Sequence, residues 1–317
     1  MKKAAIMILA LFTLLNSASC GLIGQDKIVS EKNPDFVFDD EISSVSNEDN
    51  EDIKETANED TVTPTTPTVP TPKDSIDYPI VDISTLSNEK IVNWMPGRNK
   101  EHKVPILSSK FKNILDKYEG YFTGDTENKV IYLTFDEGYE NGYTGEILDI
   151  LKQKGVTAAF FVTLPYIKKN PELVKRMVDE GHIVGNHSET HPSMPDVSDE
   201  KVLSEIKNTA DYFKEITGKD MPGFFRPPMG EWSERTLYLT NSLGYKTILW
   251  SMAHKDWDTN NQPGKAATLD FVNTYYHNGA ILLLHAVSKS NTEALGEIIQ
   301  NLQNNGYRFA PLDELKK

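Results

Sequence analysis

The 317-residue chain has a single cysteine, Cys20, so no disulfide can form within it and the fold has to rest on packing alone. It also lacks any excess of positive charge, with 33 Lys and Arg against 47 Asp and Glu. The formal net charge of -14 is unevenly spread, because residues 21–60 hold 13 acids against 3 lysines. From residue 76 onward the balance is only roughly -6, mildly acidic and without a basic stripe, which argues against binding a nucleic-acid backbone. No apolar run is followed by a glycine-rich dinucleotide or phosphate fingerprint, so nucleotide chemistry has no foothold either. A hydrophobic content of 38% suffices for one large α/β domain.

What is present begins with the N-terminus, MKKAAIMILALFTLLNSASCGL, where two lysines precede an apolar stretch and then small residues. That is the layout of a secretory signal, and it predicts export. Cys20 at its end suggests lipid attachment; the segment resembles a bacterial lipobox, with Ser17 where a leucine is usual and Leu14 and Leu15 just upstream. Lipidation, ordinary cleavage after Ser19 and a retained anchor within residues 1–20 each fit, and in each case this terminus is the only membrane attachment. Residues 21–75 are acidic, poor in aromatics and end in TVTPTTPTVPTPKDS, which predicts a disordered tether.

After residue 128 short apolar runs alternate with helical stretches and glycines. Strands are predicted at Val130 to Phe135, Thr157 to Val162, Ile183 to Asn186, Gly223 to Arg226, Lys246 to Trp250, Ala280 to His285 and Tyr307 to Ala310. Between them TGEILDILKQK and PELVKRMVDE have helical periodicity, and Gly155, Gly181, Gly244 and Gly306 stand where helix C-caps want glycine. Such alternation predicts an α/β fold with a mainly parallel sheet, open or closed into a barrel, whose site lies at the C-terminal strand ends. Residues 129–317 form the main domain on this reading, and residues 76–128 an N-terminal extension packing on it.

Chemistry-bearing residues gather at those ends. The first strand stops on adjacent acids, Asp136 and Glu137, whose mutual repulsion calls for something positive, most simply a divalent metal; a solvated turn in DEGYENG is the plain alternative. His187 and His191 in GNHSETHP follow the third strand at a spacing that points both imidazoles one way in a helical turn, a donor set suited to zinc. Arg226, Asp256 and His285 end or follow three further runs. A metal, a base, an acid and a cation are the inventory of metal-assisted hydrolysis. His182, His277 with the TYYH aromatics, and His254 read as structural, with His277 on a helix face. Trp257 and Trp232 lie beside the motifs, placed either to stack on sugar rings or to fill the core.

The segments TFDEG, HSETH, RPPMG, DW and LLLH occur in the order and spacing of the polysaccharide deacetylases, carbohydrate esterase family 4, and the resemblance covers roughly residues 94–317. YFTGDTENKVIYLTFDEGYENGYT and ILLLHAVSKSN further resemble its PdaA-type branch, the delta-lactam-biosynthetic de-N-acetylases of spore cortex peptidoglycan. The resemblance implies a distorted (β/α) barrel with fewer than eight complete units. It implies Asp136 as general base, with Glu137, His187 and His191 as ligands of a divalent metal, zinc first with cobalt or manganese also possible. It makes His285 the general acid, with Arg226 orienting Asp136 and Asp256 orienting or tuning His285. The Met229 N–H would face the developing oxyanion, and Trp257 would meet substrate. Glu137 departs from the pattern: most of the family has aspartate there and this branch often asparagine.

The implied substrate is N-acetylmuramic acid in peptidoglycan glycan strands, after an N-acetylmuramoyl-L-alanine amidase has removed the stem peptide, at the outer membrane face, in the cell wall or in the forespore intermembrane space. Deacetylation of N-acetylglucosamine in peptidoglycan or chitin-like chains, and an inactive glycan-binding module, are the competing readings.

Overall fold

A computed structural model describes residues 82–315; the expectations for residues 1–20 and 21–75 lie outside the described residues. The centre of the molecule is β2 (Val130–Glu137), buried along its whole length. It pairs in parallel with β3 (Ala159–Val162) on one side and β7 (Ala280–His285) on the other. Outward from β3 follow β4 (Ile183–Asn186), β5 (Phe224–Phe225), β6 (Lys246–Ile248) and β1 (Gly120–Tyr121), all parallel. A short β8 (Arg308–Phe309) pairs with the start of β2. Past β6, Met252 makes an isolated parallel bridge to Leu282, and Thr123 an antiparallel one to Ala280, so the two ends of the sheet meet. The result is the distorted (β/α) barrel that the resemblance implies, built on the parallel sheet expected from the alternation.

All seven predicted strands exist, several trimmed at their ends, and β1 is an eighth. Its two residues are too few to show any period. β6 stops at Ile248, so Asp256 belongs to a long loop rather than a strand end. The helix α2 (Thr144–Lys154) matches its predicted range and ends on Gly155 at φ 63, a left-handed cap that glycine adopts without strain. The expected helix face carrying His277 is not there: α7 (Lys265–Tyr275) has ended, and His277 is buried beyond it.

Alternation along the strands sorts residues between two cores. Ile131, Leu133 and Phe135 of β2, Phe160 and Val162 of β3, and Leu282 and Leu284 of β7 face the helices, where they meet Leu148 and Leu151 of α2. Val130 and Tyr132, Ala159 and Phe161, and Ile281 face the barrel interior. A third cluster joins Ile91, Trp94, Leu107 and Leu115 to Trp232, Leu237 and Leu249, so residues preceding β1 share a core with those around β6.

Gly185 of β4 makes room for the interior face: a Cβ there would come 2.6 and 2.7 Å from atoms of the Phe161 ring. Overpacking of this kind costs about 1–3 kcal/mol, and a domain of this size loses about 2–4 °C for each. Gly185→Ala is therefore expected to lower the calorimetric melting temperature by several degrees; an unchanged value would show that Phe161 has space to move.

Candidate active site

The inward series of β2 runs Val130, Tyr132, Thr134 and ends on Asp136; that of β7 runs Ile281, Leu283 and ends on His285. Asp136 and His285 are register partners across the two strands. Both carboxylate and imidazole thus reach the same mouth of the barrel, as the sequence pattern requires.

Asp136 is only 6% exposed. Arg226, just after β5 and fully buried, donates from Nη1 to Asp136 Oδ1 at 2.7 Å. Its other donors are taken by the carbonyls of Ile248 (Nε, 3.1 Å) and Leu249 (Nη2, 3.3 Å), and its guanidinium lies 4.2 Å from the Phe161 ring centroid. Burial pushes the Asp136 carboxyl up, but Arg226, His187 and His285 together hold it below the usual carboxylate value.

On the other side, Asp256 is 1% exposed and accepts the His285 Nδ1–H at 2.8 Å and the His285 backbone N–H at 2.9 Å. Burial alone would lower the His285 pKa, but Asp256 and then Asp136 raise it above the ordinary 6.5. Asn291, in the first turn of α8 (Lys289–Asn304), donates from Nδ2 to Asp256 Oδ2 at 2.5 Å and to the His285 carbonyl at 3.1 Å. Gln262 donates to the carbonyls of Asp256 and Asp258, and its Oε1 accepts from Ser288 and Ser290. Sequence reasoning missed both amides, although Asn291 closes the very segment ILLLHAVSKSN that carried a motif. His254 stacks on Phe271, with Nε2 3.9 Å from Asp256 Oδ2.

The His-x-x-x-His pair is brought together without a helix. β4 ends at Asn186, and the loop turns through left-handed Ser188 and His191 (φ 73 and 58). Its ring centroids end 4.8 Å apart. The fully buried Glu205 of α5 (Asp199–Thr217) fixes the loop by accepting the Thr190 N–H at 2.7 Å and its hydroxyl at 2.6 Å, while Lys201 Nζ lies 2.8 Å from the same carboxylate. The His187 Nδ1–H donates to the Arg226 carbonyl at 2.8 Å, and its Nε2 lies 3.7 Å from Asp136 Oδ2. Burial lowers both imidazoles, His191 to about 3, so each is neutral and His187 keeps its Nε2 lone pair.

Glu137 lies one residue on and therefore follows the outward series of β2. It is fully buried, accepts from the Thr144 hydroxyl at 3.4 Å and leaves Oε2 without a hydrogen-bond partner. Tyr166 OH joins that network through Thr144 and Glu140. Burial, reinforced by Glu140 and Asp136, raises the Glu137 pKa well above the ordinary carboxyl value. Among the described residues no three His, Cys, Asp or Glu side chains are gathered as a metal cage. The two neutral imidazoles fit a divalent cation in donor chemistry, while the partnerless Glu137 oxygen lies on the outward face of β2 and is not gathered with them.

Met229 lies in the Pro228–Gly230 turn at φ 58 with its side chain half exposed. Trp257 is half-buried beneath Lys255, whose Nζ is 5.1 Å from the ring centroid. Trp232 is completely buried and belongs to the core.

The sequence profile described as polysaccharide deacetylase matches residues 123–248. The peptidoglycan-N-acetylmuramic acid deacetylase PdaA of Bacillus subtilis is 44% identical over 224 residues, which cover 71% of this chain and 85% of that protein. A peptidoglycan-N-acetylglucosamine deacetylase of Bacillus cereus is 34% identical over 62% of this chain and 93% of its own length. The structure of Bacillus subtilis PdaA, a family 4 carbohydrate esterase, superposes with a TM-score of 0.70 at 43% identity, over 73% of this chain and 98% of that one.

Because Asp256 supplies the largest upward push on His285, Asp256→Asn will move the imidazole titration, followed by NMR of its ring protons, to lower pH. The protonated form, favoured below the raised pKa, would then be lost earlier as pH rises. A midpoint that stays put would assign the shift to Asp136 instead.

Proposed function

The chain belongs to the polysaccharide deacetylase family, hydrolases of amide bonds, and on that premise we propose that it removes the N-acetyl group of N-acetylmuramic acid in peptidoglycan, the freed amine then closing to muramic-delta-lactam in spore cortex. The observation that carries the reading is the pairing of Asp136 with His285 at one barrel mouth, the first kept toward its ionised form by Arg226 and the second pushed toward its protonated form by Asp256.

An acetamide is a poor electrophile with a poor leaving group, so hydrolysis needs a base, an acid and charge stabilisation together. Asp136 takes a proton from water as the water oxygen bonds to the acyl carbon. His285 delivers a proton to the sugar nitrogen as the C–N bond breaks, which yields acetate and a free amine. The Met229 N–H faces the acyl oxygen as negative charge develops there, and Trp257 lies against the sugar. His187 and His191 would hold a divalent cation, zinc first, while Glu137, the carboxylate the family pattern assigns to it, lies on the outward face of β2 and is not gathered with them. When bound, such a cation would supply acyl polarisation and a more acidic water.

The amine of deacetylated muramic acid sits beside a lactyl carboxyl and can close a six-membered lactam with loss of water, provided an amidase has first removed the stem peptide. Deacetylated glucosamine has no such neighbour. Amidase-treated glycan strands incubated with the enzyme and digested for mass spectrometry should show loss of acetyl and of water on muramic acid, abolished by chelator. Acetyl loss confined to glucosamine, the substrate class of the Bacillus cereus relative, would move the substrate while leaving the chemistry.

The ligand assignment has its own measurement. His191→Ala should weaken zinc binding to the apoprotein by tenfold or more in calorimetric titration, since even a residue that only supports a ligand is worth about 10–100-fold. Unaltered affinity would take His191 out of the ligand set.

A further inference from the structure

Pro228–Met229–Gly230 is a turn with strained backbone geometry. Met229 (φ 58, ψ 3) and Gly230 (φ 67) are successive left-handed residues, and a non-glycine residue there stores about 1–3 kcal/mol unless its surroundings impose the geometry. The turn's own hydrogen bonds use the N–H of Gly230, to Pro227 O at 3.1 Å, and of Glu231, to Pro228 O at 3.1 Å.

The surroundings come from a distant part of the chain. Trp94, 5% exposed, donates its indole N–H to the Gly230 carbonyl at 2.8 Å. Its ring meets Trp250 edge-on, centroids 5.3 Å apart. Trp250 is the wall on which Gly230 rests, since a Cβ at Gly230 would lie 2.5 Å from that indole. The Arg226 guanidinium sits 5.8 Å from the same ring. Trp94 is anchored in turn by the antiparallel bridge between Ile91 and Trp232, with Ile91 N–H to Trp232 O at 2.7 Å and Trp232 N–H to Ile91 O at 3.3 Å. Ile91 and Trp94 lie upstream of the residues that match the family profile, 123–248.

We propose that Trp94 is a positioning residue for amide hydrolysis, its indole N–H and ring holding the Pro228–Gly230 turn so that the Met229 N–H points at the acyl oxygen. The inference rests on the deacetylase reading of Met229 above. Loss of a direct oxyanion donor costs about 10²–10³ in kcat, and loosening the turn that carries one should cost less.

The test is Trp94→Phe in the full chain, which deletes the donor and keeps an aromatic ring against Trp250. On amidase-treated glycan strands kcat for acetate release should fall about tenfold with KM within about twofold, the split expected of a contact made only in the transition state. Hydrogen–deuterium exchange of the peptide spanning residues 227–231 should accelerate. Phe111→Leu is the control: Phe111 packs edge-on against Trp232 in the same cluster, 5.7 Å between centroids, so it should lower the melting temperature without changing kcat or that exchange. Wild-type kcat in Trp94→Phe, or an equal loss in Phe111→Leu, overturns the proposal. If the wild-type chain releases no acetate, the deacetylase reading fails, while unchanged exchange at 227–231 in Trp94→Phe would separately show that the indole does not hold the turn.

Discussion

A charge buried without exposure has to be answered on every side, and Arg226 is the charge around which this barrel is assembled. Its guanidinium is satisfied by Asp136 on β2 and by the carbonyls of Ile248 and Leu249 at the end of β6, while its backbone N–H donates to Asn186 and its carbonyl accepts from His187. Removing one partner of such a pair typically costs about 3–5 kcal/mol, because the other is left uncompensated in a low-dielectric interior. The cost is accepted where it produces chemistry: the ion pair keeps Asp136 anionic despite burial, and the carbonyl contact sets the His187 tautomer. One residue thereby couples the ionisation of Asp136 to the orientation of the His187 imidazole.

The adjacent acids that end β2 have opposite fates because strand side chains alternate. Asp136 faces the polar mouth and is compensated by Arg226 and two imidazoles, whereas Glu137 faces the helix layer and finds only the Thr144 hydroxyl and the nearby Glu140–Tyr166 pair. The first is held ionised and the second is pushed toward its neutral form. A shared motif position therefore says less about a carboxylate than the face of the strand on which it sits.

Much of the precision of the site lies in residues that carry no charge in the reaction. Glu205 seats the loop of His187 and His191 through Thr190; Asn291 and Gln262 clamp the loop that presents Asp256; Trp94 braces the turn of Met229. Each acts through a backbone or carboxylate contact that restricts where the neighbouring group can sit.

The sequence by itself determined the α/β alternation, seven of the eight strands, the extent of α2 and the identity of the residues at the strand ends, because these depend on local periodicity and on chemistry that few residue types can perform. It could not show β1, two residues long, or where β6 ends, since hydrogen-bonded partners decide both. The spacing of His187 and His191 suggested a helical turn, yet left-handed Ser188 and His191, held through Thr190 by a carboxylate fifteen residues further on, join them in a loop. Only the tertiary structure divided Asp136 from Glu137 and brought Trp94 to Gly230, 136 residues away. Long-range compensation of buried polar groups leaves no periodic trace in a chain; it exists only once the strands have closed around it.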